Sequence, residues 1–304
     1  MATAELASPG VASWGLALLR ALRPLQWVKN LLVFVPVVLD HKLFDADTMA
    51  RAATAFVAFC CAASSAYVLN DVLDLQADRH HASKRHRPFA AGTLSPTVGI
   101  VLVPALLLLG FVIAWSTLPI GFIDLLAIYV VLTTAYSVYL KRIAVLDVLL
   151  LAGLYTLRVL GGVAAAEVRF STWLLAFAMF LFLSLAFLKR YTEVSAMDGA
   201  ATDQVQRRGY IRGDREWLAS MGGASGYLSV LVLALYINSE QVLALYRKPL
   251  LLWLICPLLL FWTSRTWLLA HRGQIHEDPI VATVRDPASY VLGALVALVL
   301  YFAL

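Results

Sequence analysis

Asn70-Asp71-Val72-Leu73-Asp74-Leu75-Gln76-Ala77-Asp78 closes the apolar stretch 50–72 and runs directly into Arg79, Lys84, Arg85 and Arg87. The stretch before it has the length and composition of a membrane-spanning helix. On a continuing helix Asp71, Asp74 and Asp78 stand at i, i+3 and i+7, so three carboxylates share one face where nearly everything upstream is hydrocarbon. Carboxylates repel one another there unless a cation lies between them. An oxygen-only cluster suits Mg²⁺ shared with the waters and phosphates of a substrate, so Asp71, Asp74 and Asp78 are the expected metal ligands. The basic residues that follow, Lys84, Arg85 and Arg87, are placed to hold the far side of a diphosphate.

Working outward, the same kind of apolar stretch recurs near 22–40, 96–116, 120–140, 145–163, 171–189, 217–236, 249–269 and 287–304, which predicts nine transmembrane helices in all. The composition agrees: 61% of residues are hydrophobic, 14% are charged and the mean hydropathy is +0.80, against roughly 25% charged residues in a soluble domain. The expected fold is an all-α integral membrane bundle. Basic residues fall unevenly on the two sides of it. Putting the N-terminus on one side gathers there Lys29, the 79–87 cluster, Lys141, Arg142, Lys189, Arg190 and the arginines of 207–215, and leaves Lys42, Arg51, Arg169, Arg247 and Lys248 opposite. That asymmetry makes the first side cytoplasmic, so the net charge of +5 reads as topology plus an anion-binding face and not as a nucleic-acid site. Cys60, Cys61 and Cys256 lie in expected spans with no metal-ligand spacing, as packing residues do. The sequence lacks a Walker loop, a dinucleotide fingerprint and a nucleophile elbow, so the usual signatures of nucleotide-driven transport, nicotinamide chemistry and serine hydrolysis are missing.

The polar loop 73–95 is echoed by 190–216, each entered from a charged helix end, which is the pattern of two half-sites facing one cavity. The stretch from Asn70 to Gly92, N-D-V-L-D-L-Q-A-D-R-H-H-A-S-K-R-H-R-P-F-A-A-G, resembles the first aspartate motif of the UbiA-type intramembrane prenyltransferase superfamily. Arg23-Pro24-Leu25-Gln26-Trp27-Val28-Lys29-Asn30, Tyr136-Ser137 with Leu140-Lys141, Leu146-Asp147-Val148, and Asp278-Pro279-Ile280 with Arg285-Asp286 are similar to its decaprenyl-phosphate phosphoribosyltransferase branch. The resemblance covers about residues 20–290. It implies nine transmembrane helices around a central cavity, Mg²⁺ dependence and a long-chain isoprenoid substrate, with 1–19 an N-terminal cytoplasmic segment and 20–304 the transferase domain. Aromatic-prenylating members carry a second D-x-x-x-D motif after helix six. Here the chain reads Lys189-Arg190-Tyr191-Thr192-Glu193, and Asp198 and Asp203 are five apart and so off one helical face.

The resemblance therefore implies transfer of 5-phosphoribose from phosphoribosyl pyrophosphate to a polyprenyl phosphate at the cytoplasmic face of a bacterial-type inner membrane. Lys84 and Lys189 are the expected catalytic cations beside the aspartates. Lys29, Asn30, Asn70, Arg85, Arg87, Tyr136, Lys141, Arg142, Arg158, Arg190 and Glu193 are the expected substrate contacts. Each also has a plainer reading. Helix-end lysines and arginines mark topology in any such protein, Glu193 at i+4 from Lys189 forms an ordinary helix pair, and Arg158, an ionisable group inside a span, has Glu167 or Asp147 as its natural counter-ion. Two other functions stay open: prenyl transfer from a prenyl diphosphate to an aromatic or other small acceptor, and transport or lipid flipping. Homo-oligomerisation is compatible with the sequence.

Overall fold

The computed structural model describes residues 11–80, 84–169, 171–196, 209–275 and 278–304. They form thirteen α-helices joined by short 3₁₀ segments: α1 Val11–Leu22, α2 Val35–Leu39, α3 Ala46–Leu73, α4 Leu75–His80, α5 Pro96–Thr117, α6 Ile120–Val138, α7 Leu146–Ala166, α8 Thr172–Ser195, α9 Arg215–Ile237, α10 Glu240–Leu245, α11 Ile255–His271, α12 Pro279–Arg285 and α13 Pro287–Ala303. Eight segments are long and apolar enough to cross a membrane, Trp14–Leu39, Ala46–Leu73, Pro96–Thr117, Ile120–Val138, Leu146–Ala166, Thr172–Ser195, Arg212–Ile237 and Pro249–His271. The ninth expected span is the 17-residue α13, which at 1.5 Å per residue rises about 25 Å, a little short of a hydrocarbon core of roughly 30 Å. The first span starts at Trp14 and not near residue 22, because α1 and the 3₁₀ segment Pro24–Phe34 run on from one another through Arg23.

The chain divides into two compact units, one of Met1–Val138 with Ala164–Glu167 and one of Tyr139–Val163 with Val168–Leu304. In the first unit α3 packs along α5. Phe59 meets Phe122 and Tyr129 edge-on, with ring centroids 5.5 and 5.2 Å apart. Because a hydroxyl in hydrocarbon needs a partner, the serines of α3 bond to backbone and thereby stitch segments together. Ser64 Oγ donates to the Leu22 carbonyl at 2.9 Å and accepts from Trp27 Nε1 at 3.0 Å, and Ser65 Oγ donates to the Val103 carbonyl at 3.0 Å. Asp45 caps α3, accepting the Thr48 N–H at 2.7 Å. With 28 residues α3 rises about 42 Å, so its last turn, bearing Asp71, reaches the polar boundary of a bilayer.

In the second unit α8 packs on α9 at a place only glycine permits: a Cβ on Gly222 would stand 2.1 Å from Trp267 Cζ2 and 2.8 Å from Phe187 Cβ. Trp267 Nε1 donates to Ser184 Oγ, which donates to the Gly222 carbonyl, closing α8, α9 and α11 into one packed set. Arg265 forks onto Asp286 at 2.6 and 3.1 Å, holding the start of α13 against α11. Outward-facing apolar side chains such as Ile100, Leu108, Val112 and Trp115 on α5 and Leu231 and Leu235 on α9 are exposed, as lipid-facing residues are. Cys60 and Cys256 are buried and all three cysteines are free thiols.

Candidate active site

The first cluster belongs to the first unit and is built at the end of α3. Residue 74 breaks the helix: Asp74 has φ −96° and ψ 9°, with α3 ending before it and α4 starting after it. The i→i−4 bonds nevertheless carry through, from the Asp74 N–H to the Asn70 carbonyl at 2.9 Å and from the Asp78 N–H to the Asp74 carbonyl at 2.8 Å. Asp71 and Asp78 therefore stay on one side, both buried, and both reach the same nitrogen of Arg87. Its Nη1 lies 3.1 Å from Asp71 Oδ1 and 2.7 Å from Asp78 Oδ2, so the two carboxylate oxygens are no farther apart than the sum of those distances. Arg23 Nη2 adds a second contact to Asp71 Oδ1 at 2.5 Å, with its guanidinium also 5.2 Å from the Tyr67 ring centre. Arg23 reaches there from a left-handed turn, φ 54° and ψ 61°, immediately before Pro24, a position that disfavours α-helix for the preceding residue. Asp71, in the last turn of α3, opposes the helix dipole, and these arginines offset that cost.

Of the three aspartates expected on one face, the structure brings Asp71 and Asp78 together on Arg87 and places Asp74, half-buried, at the helix break. Among the described residues no three His, Cys, Asp or Glu side chains stand as a metal-binding group. The other expected residues of this unit spread along the same chain segments. Lys84 and Arg85 lie on the 3₁₀ turn Lys84–His86, with Arg85 exposed and its Nε 3.3 Å from His86 Nε2. Asn70 is half-buried, Tyr136 and Lys29 are buried, and Asn30, which has no exposed surface, donates to Cys60 Sγ at 3.2 Å.

The second cluster belongs to the second unit. Asp147 lies in the first turn of α7, where the helix dipole favours a carboxylate, and has no exposed surface. Arg190, on α8 and 1% exposed, sets its Nε 2.5 Å from Asp147 Oδ2 and its Nη1 on Glu193 Oε2. Tyr210 OH donates to Asp147 Oδ1 at 2.7 Å and accepts the Val145 N–H at 2.8 Å. Burial, and then the bond to Asp147, hold the Tyr210 phenol well above its ordinary pKa. One step along α8, Lys189 Nζ pairs with Asp278 Oδ2 at 2.9 Å, while Asp278 Oδ1 accepts the Ile280 N–H and caps α12. Lys141 is buried and Arg142 exposed on the turn that leads into α7.

Glu193 pairs with Arg190 at i+3 and Lys189 with Asp278. Asp147 and Glu167 are not the counter-ions of Arg158: Arg190 holds the first and Arg51 the second. Arg158 instead donates from Nη1 to the Leu154 carbonyl at 2.5 Å and lies 5.5 Å from the Tyr155 ring centre. Asp198 and Asp203 fall outside the described residues.

The family model described as "UbiA prenyltransferase family" matches residues 32–284. This chain belongs to the UbiA prenyltransferase family. It is similar to a protein of Sinorhizobium fredii described as "Uncharacterized protein y4nM", 38% identical over 92% of this chain and 54% of that one. It is also similar to a decaprenyl-phosphate phosphoribosyltransferase of Mycolicibacterium smegmatis, 39% identical over 58% of this chain and 57% of that one. The matches thus span little more than half the length of these two relatives. In fold it is similar to a UbiA homologue of Archaeoglobus fulgidus bound to GPP and Mg²⁺, with a TM-score of 0.68 and 16% identity over 94% of this chain and 98% of that one.

In this family member the residues that sequence reasoning left out of the site are Arg23, Asp147, Tyr210 and Asp278. Asp147 carried a signal, since a carboxylate at the start of an apolar helix needs a buried partner. Tyr210 carried none, because its partner lies 63 residues away.

Proposed function

We propose that the chain transfers 5-phosphoribose from phosphoribosyl pyrophosphate to a polyprenyl phosphate. A phosphate oxygen of the lipid forms a bond to C1 of the ribose as the C1–O bond breaks, and pyrophosphate leaves with the bonding pair. The observation that carries the reading is the first cluster, where two buried carboxylates converge on one cation, a hard oxygen donor set that fits Mg²⁺, with Asp71 and Asp78 as the residues that would hold it. Among the described residues of the second cluster, Asp147 and Glu193 pair with Arg190 and Asp278 with Lys189. The 39% identity with a decaprenyl-phosphate phosphoribosyltransferase supports the same choice.

Held by Asp71 and Asp78, Mg²⁺ would supply Lewis-acid neutralisation of a departing diphosphate. The chain's own cations do the rest. In the first unit Lys84, Arg85 and Arg87 would hold phosphate oxygens by charge-assisted bonds, with Lys29 offsetting further anionic charge; in the second unit Lys141, Arg142 and Lys189 are the cations available to an anionic substrate. The acceptor is already an anionic nucleophile, so no strong general base is required and no histidine needs a catalytic role. Prenyl transfer from a prenyl diphosphate is the second reading, favoured by the family and by the likeness to a protein whose structure holds GPP and Mg²⁺. Membranes containing the protein are to be given labelled phosphoribosyl pyrophosphate with polyprenyl phosphate, and separately a prenyl diphosphate with a hydroxybenzoate. Label in the lipid fraction of the first mixture alone is the expected result. A prenylated aromatic acid would overturn it in favour of the second reading.

The proposed orientation places Ser95 in the cytoplasm and Glu240 on the opposite side, with five of the membrane-crossing segments between them. Both positions are exposed. A cysteine at Ser95 should react with a membrane-impermeant maleimide in inverted vesicles only, and one at Glu240 in right-side-out vesicles only. Labelling of both from one side would break this topology, since an odd number of crossings must separate them.

A further inference from the structure

The turn entering α7 is held in a conformation that its residue disfavours. Val145 has φ 68°, in the left-handed region where a β-branched side chain is strained. Its side chain is exposed, so packing of the valine does not compensate. The compensation comes from Tyr210, which is 2% exposed. Its hydroxyl takes the Val145 N–H at 2.8 Å and gives its own proton to Asp147 Oδ1 at 2.7 Å, so one oxygen ties both ends of the segment 145–147. Gly209 makes the approach possible: a Cβ there would lie 2.7 Å from the Arg142 carbonyl oxygen and 3.0 Å from the Ala144 nitrogen. Upstream, the same turn carries the buried Lys141. Downstream, the other oxygen of Asp147 is the one paired with Arg190, which also holds Glu193.

We infer that Tyr210 is a positioning residue whose hydroxyl holds the strained Val145 turn and through it sets Lys141 and the Asp147–Arg190 pair for binding of the anionic substrate. The substrate half of this inference rests on the phosphoribosyl reading above; the latch itself does not. Strain of this kind persists only where the surroundings over-determine it, and it gathers at functional sites.

Tyr210→Phe keeps the ring and removes both hydrogen bonds. In the purified full chain it should raise the KM for phosphoribosyl pyrophosphate about tenfold while kcat stays within about twofold, the pattern of lost ground-state binding. Hydrogen exchange should speed up at the amides of Arg142, Ile143 and Asp147, which close this turn onto the Tyr139, Leu140 and Ile143 carbonyls. Adding Val145→Gly, which adopts a positive φ without strain, should bring both the exchange and the KM back to within about twofold of wild type. Unchanged exchange in Tyr210→Phe would overturn the latch whatever the substrate is. Faster exchange with an unchanged KM, or a raised KM that Val145→Gly fails to recover, would overturn the positioning role. A wild-type chain that does not use phosphoribosyl pyrophosphate would refute the substrate reading, while the exchange and its recovery would still decide the latch.

Discussion

Asp71→Ala should lower transfer by about three powers of ten or more while the protein still inserts and elutes as a folded species. The functional loss follows from the charge that Asp71 collects. Among the described residues it is the one carboxylate that holds both Arg23 and Arg87, and it is the central donor of the cluster proposed to hold Mg²⁺. Lewis-acid stabilisation of a leaving group is worth several kcal/mol, and each ~1.4 kcal/mol is tenfold in rate. The structural loss is smaller. The Arg23 and Arg87 side chains are 26% and 29% exposed, so water can reach the guanidinium groups left behind, and Asp78 still holds Arg87. Removing a carboxylate at a helix C-terminus also relieves an unfavourable dipole interaction of ~0.3–1 kcal/mol. The measurement is steady-state transfer against Mg²⁺ concentration, with size-exclusion elution as the control for folding. EDTA should silence the wild type and added Mg²⁺ should restore it. Near-normal Mg²⁺-dependent turnover in the purified variant would remove Asp71 from the metal assignment.

The membrane bundle was legible because its signal is local: length and apolar content decide a span, and each expected stretch became a helix with shifted ends. The first cluster was legible for the same reason. Asp71 and Asp78 are seven residues apart, so spacing alone brings them to one side, whereas Arg87, expected on substrate phosphate, pairs with both. Arg23 reads as the first residue of the motif at 23–30 and not as a site residue. Only the left-handed turn before Pro24 swings it onto an aspartate 48 positions away. The second cluster is assembled wholly from distant pieces. Tyr210 meets Asp147 across 63 residues, and Lys189 meets Asp278 across 89. Periodicity offers Lys189 and Glu193 as a local pair at i+4 but carries no sign of the remote Asp278 that Lys189 meets, while Glu193 also lies at i+3 from Arg190 and pairs with it.

Arg190→Ala shows the consequence for function, since sequence places this arginine against substrate phosphate and the structure places it between two carboxylates. It is 1% exposed, and Asp147 beneath it has no exposed surface. Removing the guanidinium leaves the buried carboxylate with the Tyr210 hydroxyl but without its ion-pair cation, and breaking a buried pair from one side costs ~3–5 kcal/mol. That exceeds the ~1.5–3 kcal/mol of a single charge-assisted contact to a phosphate. The expected result is therefore a marked fall in thermal stability in detergent, accompanied by loss of transfer. Replacing both members with apolar groups of similar volume, Asp147→Leu with Arg190→Met, should recover most of the lost stability, because an apolar pair carries no desolvation penalty. Activity then divides the two roles. If Arg190 only positions Asp147 and the turn into α7, transfer returns in part with stability in the double variant. If the guanidinium also binds phosphate, the double variant is stable but keeps a KM for the anionic substrate raised tenfold or more. A single variant with wild-type stability and a raised KM would show that the pair with Asp147 contributes nothing to folding, and would return Arg190 to the substrate contact that its sequence position suggests.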